Sequence, residues 1–157
     1  MAIWSRTQAQ QRAAELRASG KKVVFTNGCF DLLHPGHVAY LQTARRLGDF
    51  LIVGLNSDTS LHRLKGAGRP LIFQKGRAMI LEALEVVDAV VIFDEDTPAA
   101  LIEELKPHIL VKGGDYQEKD IVGAQTVWAA GGTVRIIPYL EGFSTSTLIQ
   151  KIKGEKP

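Results

Sequence analysis

The chain has one cysteine, Cys29, in 157 residues, so it can close no disulfide within itself. That usage suits a reducing compartment. It has no apolar run near the roughly 18 residues that a membrane span needs. Its opening stretch, MAIWSRTQAQQRAAELR, lacks the apolar centre of a secretory signal. Together these absences make a cytoplasmic location the expectation, with no membrane partner. A dominant charge is missing too: 19 basic against 17 acidic side chains leave a net charge of +2. That excludes the strong basic field of a nucleic-acid binder but leaves room for a local basic pocket. There is also no low-complexity tract, linker or internal repeat.

What remains is ordinary globular composition, 45% hydrophobic and 23% charged. The length predicts one domain over 1–157, with an N-terminal helical segment (1–20) and a core (21–153). Strands are expected at Lys22–Thr26, Phe50–Asn56, Ala89–Asp94, His108–Gly113 and Thr133–Pro138. Helices are expected at Ser5–Ser19, Pro35–Leu47, just after Ser57, and at Lys75–Glu85. Three more follow at Pro98–Leu105, Ile121–Ala130 and Ser144–Ile152. The strands are short, continuous and rich in Val and Ile, as strands covered on both faces must be. Alternating with helices, they predict an α/β fold with a doubly wound, five-stranded parallel sheet.

Ligands of such sheets sit outside the carboxyl ends of the strands. The segments found there are NGCFDLLHPGH (27–37), NSD and then LKGAGRP, DEDTP, KGGDY, and LEGFSTST. Glycine, lysine, histidine and hydroxyl groups beside helix starts are the makings of a phosphate pocket. Gly28 allows close approach to the backbone. Pro35 opens a helix, so unpaired N–H groups lie beside His34 and His37. Imidazoles three residues apart share one helix face and can donate to phosphate oxygens. As metal ligands they are only two, where zinc takes three or four. No metal-ligand set is assigned.

Several of these residues also have a purely structural reading. Asp31 could cap local backbone. Lys65 could be a solvated loop lysine, and Arg77 could pair with a carboxylate on its own helix. Ser144 suits a helix N-cap. Cys29 has no evident base partner, so no covalent role is expected for it.

GCFD (28–31) with HPGH (34–37) resembles the first signature of the cytidylyltransferase-like nucleotidyltransferases, and EGFSTST followed by LIQKI resembles their second. RLKGAGRP (63–70), ALEVVDAVVIFDEDTP (83–98) and LVKGGDY (110–116) resemble the branch that makes ADP-heptose from heptose 1-phosphate. The likeness runs from Val23 to Ile152. It implies a Rossmann-like fold and transfer of AMP from ATP to heptose 1-phosphate, with Mg2+, for lipopolysaccharide inner core or another surface heptose glycan.

The resemblance also implies roles. His34, His37, Lys65 and Arg77 would act on the phosphates as catalytic groups. Thr26, Asn27, Gly28, Cys29, Phe30 and Gly36 would cradle the nucleotide. Asp115, Ser144, Thr145 and Ser146 would hold it from the far side. Asp31, Lys112 and Tyr116 would meet the sugar phosphate. Two positions depart from the family pattern: Gly76 stands where an acidic residue usually precedes the arginine, and Ser146 replaces the second of two threonines. At this length a stand-alone form is expected, with a separate sugar kinase as pathway neighbour; the resemblance is compatible with a homodimer. Two alternatives remain open. One is a cytidylyl- or adenylyltransferase for another phosphorylated alcohol, such as glycerol 3-phosphate, although Tyr139 stands where that branch commonly has arginine. The other is a non-catalytic nucleotide-binding partner of a sugar kinase.

Overall fold

Each apolar run becomes a strand because its alternate side chains reach two different cores. The computed structural model describes residues 2–155. The strands are β1 (Ala2–Trp4), β2 (Val23–Gly28), β3 (Phe50–Asn56), β4 (Ala89–Phe93), β5 (Ile109–Gly113) and β6 (Thr133–Ile137). They form one sheet in the order β1-β4-β3-β2-β5-β6, and every neighbouring pair is parallel. The helices are α1 (Arg6–Ala18), α2 (Pro35–Arg45), α3 (Asp58–Lys65), α4 (Gln74–Glu82), α5 (Ala99–Leu105), α6 (Ala124–Ala129) and α7 (Thr145–Ile152).

The α/β class holds, but the sheet has six strands rather than five. The additional strand, β1, runs Ala2–Trp4 and pairs with Ala89–Val91 of β4 at the sheet's edge. Three residues carry no readable periodicity, and their strand conformation comes from pairing with β4 rather than from local preference. Trp4 then stacks on Phe50, with ring centroids 5.5 Å apart.

Val23 and Phe25 of β2 face a core shared with Ala9 and Ala13 of α1, Ile102 of α5 and Val127 of α6. Val24, between them, faces a second core with Leu41 of α2 and Leu81 of α4. This period-2 division buries both sheet faces. Helix starts follow local chemistry. Ser5 accepts from the Gln8 amide at 3.2 Å while Gln8 Oε1 accepts from the Ser5 amide at 2.9 Å, a reciprocal cap for α1. Helix α6 begins at Ala124 rather than Ile121 because Ile121 is extended and Gly123, the N-cap, takes a left-handed conformation (φ 88) that no helix continues through.

After β2 the chain builds β3 and β4 to one side, then returns to place β5 and β6 on the other. The crevice between the ends of β2 and β5 is therefore the point where strand order reverses, which is where such sheets bind ligands.

Candidate active site

A cavity of about 1320 Å³ opens at that crevice. Its floor is the end of β2 and the loop into α2. Phe30 takes a left-handed backbone conformation (φ 46), uncommon for a bulky residue and frequent at functional loops. The chain thereby folds back on itself. A Cβ on Gly28 would lie 2.9 Å from the Phe30 ring. Gly28 is thus required by that ring, a reason different from the close ligand approach expected of it.

His34 is the N-cap of α2, and Pro35 its first residue, as proline's fixed φ favours. The His34 amide donates to His37 Nδ1 at 3.3 Å. The His37 proton must then sit on Nε2, which becomes a donor. The two imidazoles stack, with centroids 3.8 Å apart and planes 24° apart. A Cβ on Gly36 would lie 2.9 Å from His34 Nδ1 and 3.2 Å from Phe143 Cβ, so glycine between the histidines lets the first ring lie over the helix start.

His34 is only 9% exposed, and its Nδ1 is buried with no hydrogen-bond partner. Burial lowers the His34 pKa. Burial, and secondarily the neighbouring His34, lower that of His37 to about 4. Both rings are neutral donors at pH 7 until an anion arrives.

The β3 side of the cavity supplies cations. Lys65, at the end of α3, is exposed and lines the cavity. Arg69 also lines it, with its guanidinium held by Asp31 at 2.5 Å. Asp31 is buried and accepts from the amides of Leu71 and Ile72 as well. Burial alone would raise its pKa, but those amides and Arg69 outweigh burial and hold it below the usual value. Asp31 was expected at the sugar phosphate. Its oxygens are instead committed to the 69–72 loop, and the cation it positions is the group left for a ligand.

Arg77 differs from expectation more sharply. It is 1% exposed, in the core, and does not line the cavity. Its guanidinium donates to the carbonyls of Ile72 (2.9 Å), Cys29 (2.6 Å) and Asn56 (2.9 Å) and to the Asp58 carboxylate (2.8 Å). It ties three segments around the cavity together, the β2–α2 loop, the β3–α3 junction and the loop before α4, and is not placed to meet phosphate.

Thr26 is likewise fully buried, its hydroxyl bonded to Tyr40 Oη at 2.5 Å, and has no face on the cavity. Asp115 is exposed and outside the cavity lining.

The other expected residues do converge. Asn27, Cys29 and Phe30 come from the floor, Lys112 and Tyr116 from the end of β5, and Ser144, Thr145 and Ser146 from the start of α7. Burial lowers the Lys112 pKa; Cys29 opposes that shift and Lys65 adds to it. Burial raises the Cys29 thiol, with Lys65, Arg77 and Arg69 opposing, so it stays protonated and unsuited to nucleophilic work. Ser144 Oγ accepts from the Thr147 amide at 3.0 Å, capping α7.

Sequence reasoning assigned no site role to Arg69 or Phe143, and marked Tyr139 only as standing in place of an arginine; all three line the cavity. The Arg-Pro pair in LKGAGRP was a signal for the first of these. The other two flank the Glu-Gly pair that precedes the second signature.

Among the described residues no three His, Cys, Asp or Glu side chains gather as a metal site. No described helix is long and apolar enough to cross a membrane.

Comparison with known proteins agrees with this geometry. The chain is 59% identical over 137 residues to the bifunctional protein HldE of Geotalea uraniireducens, covering 87% of this chain and 28% of that one. It is 54% identical over 152 residues to its namesake in Wolinella succinogenes, covering 97% and 31%. The chain thus spans less than a third of the length of these relatives. Among solved structures, the lipopolysaccharide core biosynthesis protein from Thermoplasma volcanium superposes with a TM-score of 0.64 at 28% identity, covering 77% of this chain and 98% of that one. The cytidylyltransferase-like family model matches residues 25–151, from the core of β2 through most of α7, and the chain belongs to that family of nucleotidyltransferases.

Proposed function

We propose that this chain transfers AMP from ATP to heptose 1-phosphate, giving ADP-heptose and pyrophosphate. The observation that carries the reading is the convergence of two helix starts, α2 with its stacked histidines and α7 with its hydroxyls, on one cavity at the sheet's reversal point. Each start offers free N–H groups and the positive end of a helix dipole to phosphate. The heptose assignment is supported by the LVKGGDY and RLKGAGRP segments and by the high identity to the HldE proteins. The lipopolysaccharide core protein of Thermoplasma volcanium supports a role in surface heptose glycans. The relatives are bifunctional and several times longer, so a kinase making the sugar 1-phosphate is the expected neighbouring activity.

A phosphate oxygen of the sugar 1-phosphate attacks the α-phosphorus of ATP. The bond from that phosphorus to the α–β bridging oxygen breaks, and pyrophosphate leaves with the electron pair. The attacking phosphate is already ionised at pH 7, so the chain need supply no strong base. What it supplies is position and charge. His37 donates through Nε2–H, and His34 offers its unpartnered Nδ1 in the same stack. Lys65, Arg69 and Lys112 gather the anions. Ser144, Thr145 and Ser146 receive the β- and γ-phosphates. With no cluster of three His, Cys, Asp or Glu side chains among the described residues, magnesium would come with the triphosphate and would supply charge neutralisation to the leaving phosphates.

The test is pyrophosphate release by the purified protein, with heptose 1-phosphate or glycerol 3-phosphate, each with ATP or CTP. Turnover is expected with ATP and heptose 1-phosphate. Turnover confined to CTP and glycerol 3-phosphate would keep the chemistry and refute the substrate.

A further inference from the structure

All three tyrosines of the chain meet at one turn, Gly113–Gly114, where β5 ends. A Cβ on Gly113 would lie 3.1 Å from the Tyr40 ring and 3.4 Å from that of Tyr139. One on Gly114 would lie 2.9 Å from Tyr139 and 3.0 Å from Tyr116. Gly114 also has φ 120, a conformation side chains rarely adopt. The two glycines of KGGDY therefore exist in part to let aromatic rings close over the backbone.

Tyr40 is committed to Thr26. The other two rings are not so occupied. Tyr139 is 71% exposed and Tyr116 51%, both line the cavity, and neither stacks on another aromatic ring among the described residues. Open aromatic faces at a cavity mouth are costly to leave wet and suited to a planar ligand.

The geometry points to Tyr139, with Tyr116 beside it, as the platform on which the base of the bound nucleotide stacks. Charge separates this role from one toward the sugar phosphate. Lys65 and Arg69 lie on the β3 side of the cavity, whereas Lys112 stands at the end of β5, directly before the tyrosine turn. Asp120 and Glu141, four residues after Tyr116 and two after Tyr139, belong to the lining, as does Asp96, which pairs with Arg63. A doubly charged sugar phosphate belongs with the cations. An uncharged base tolerates the carboxylates and gains from the rings. Tyr139 also precedes the Gly142–Ser146 segment directly, so base and phosphates fall on one continuous stretch of chain.

This inference rests on the reading of the cavity as a nucleotide site, and direct binding separates the two. Calorimetric titrations with magnesium would compare ATP with tripolyphosphate, which has the phosphates and no base. The proteins are the natural chain, Tyr139→Ala and Tyr139→Phe. Removing a stacking ring should weaken ATP by roughly five- to a hundredfold, leave tripolyphosphate unchanged, and spare Tyr139→Phe. Unchanged tripolyphosphate binding doubles as the check that the variant is folded. Unchanged ATP binding in Tyr139→Ala, with a raised KM for the sugar phosphate, would hand the ring to the acceptor and overturn the proposal. Equal weakening of both ligands would overturn it as well, by making the effect one on phosphate. A natural chain that binds neither ligand would refute the nucleotide site itself, and this inference with it.

Discussion

Two helices aim their first turns at the same cavity, and they are held in place very differently. Helix α2 buries Leu41 and Ala44 in the core, and its N-cap His34 is buried as well. Helix α7 buries none of its residues, and Ile152 near its end is 77% exposed. Half of the phosphate site is therefore fixed before a ligand arrives, and half is positioned by little more than its own cap. A rigid first half can hold the α-phosphate in line for attack. A loosely held second half can open for pyrophosphate to leave, because elements with few buried contacts lie at the low-stability end of a fold.

Arg77 is the strongest fixture of the rigid half, and its removal should have the largest effect. Arg77→Met leaves Asp58 without its cation and the carbonyls of Cys29, Asn56 and Ile72 without a donor. A loss of about 3–5 kcal/mol in urea unfolding is expected. Arg77→Lys keeps the charge but not the planar fork that spans four acceptors, so it should recover only part of the loss. Full recovery by lysine would mean that charge alone matters there, and that the β2–α2 loop is not fixed as described.

His37→Ala comes next and separates chemistry from scaffold. Removing one donor to the developing charge costs about 10²–10³ in kcat. KM for ATP should move far less, since the remaining helix start and cations still bind phosphate. Steady-state pyrophosphate release measures both quantities. A kcat within tenfold of the natural chain would remove His37 from the reacting centre.

The same histidine predicts an acid limb of stability. Its folded pKa of about 4 lies below the ordinary 6.5, and His34 shifts in the same direction. Between those values the unfolded chain takes up a proton that the folded chain refuses. The neutral-ring contribution is complete above pH 6.5 and is lost as pH falls toward 4. The carboxylates held low, Asp31, Asp49, Glu15 and Glu95, lose their contribution only as pH falls through ordinary values of 3.8 or 4.5 and beyond, so most of the span from pH 6.5 to 5 belongs to the histidines. Urea midpoints at pH 7.5, 6 and 5 should fall in the natural chain and fall less in His37→Gln. Parallel declines would mean that the α2 start is more open than its burial implies.

The contrast between the halves also explains what could be read in advance. The strands from β2 to β6, the crevice and both helix starts were legible because alternating valine and isoleucine runs, Pro35 and Ser144 act locally. The misplacements all concern what a side chain faces. Thr26 shares the strand face of Val24, which turns toward α2, so period-2 alternation already directed it into the core. Arg77 stands beside Ala78 and one turn before Leu81, both buried. Helical spacing gave its direction, whereas the family resemblance had placed it on the phosphates. Arg69 was only half legible: LKGAGRP marked its loop, but the arginine's place depends on Asp31, thirty-eight positions away.

The smallest effect tests the loose half directly. Ser144→Ala removes the acceptor of the Thr147 amide and the donor to Thr147 Oγ1. Losing such a cap costs a helix about 1 kcal/mol. In α2, tied to the core, a cost of that kind would lower the unfolding midpoint of the whole chain. In α7 it should stay local, because no buried contact transmits it. The urea midpoint should therefore not move, while amide exchange at Thr147 and Leu148 quickens by about fivefold, the equivalent of that free energy. KM for ATP should rise by at least that factor, since the ligand must now supply the order that the cap supplied and also loses the Ser144 hydroxyl. If the midpoint instead falls by the full amount and exchange at α7 matches that of α2, the two helices belong to one cooperative unit. Pyrophosphate release would then need some other opening than the one assigned to α7.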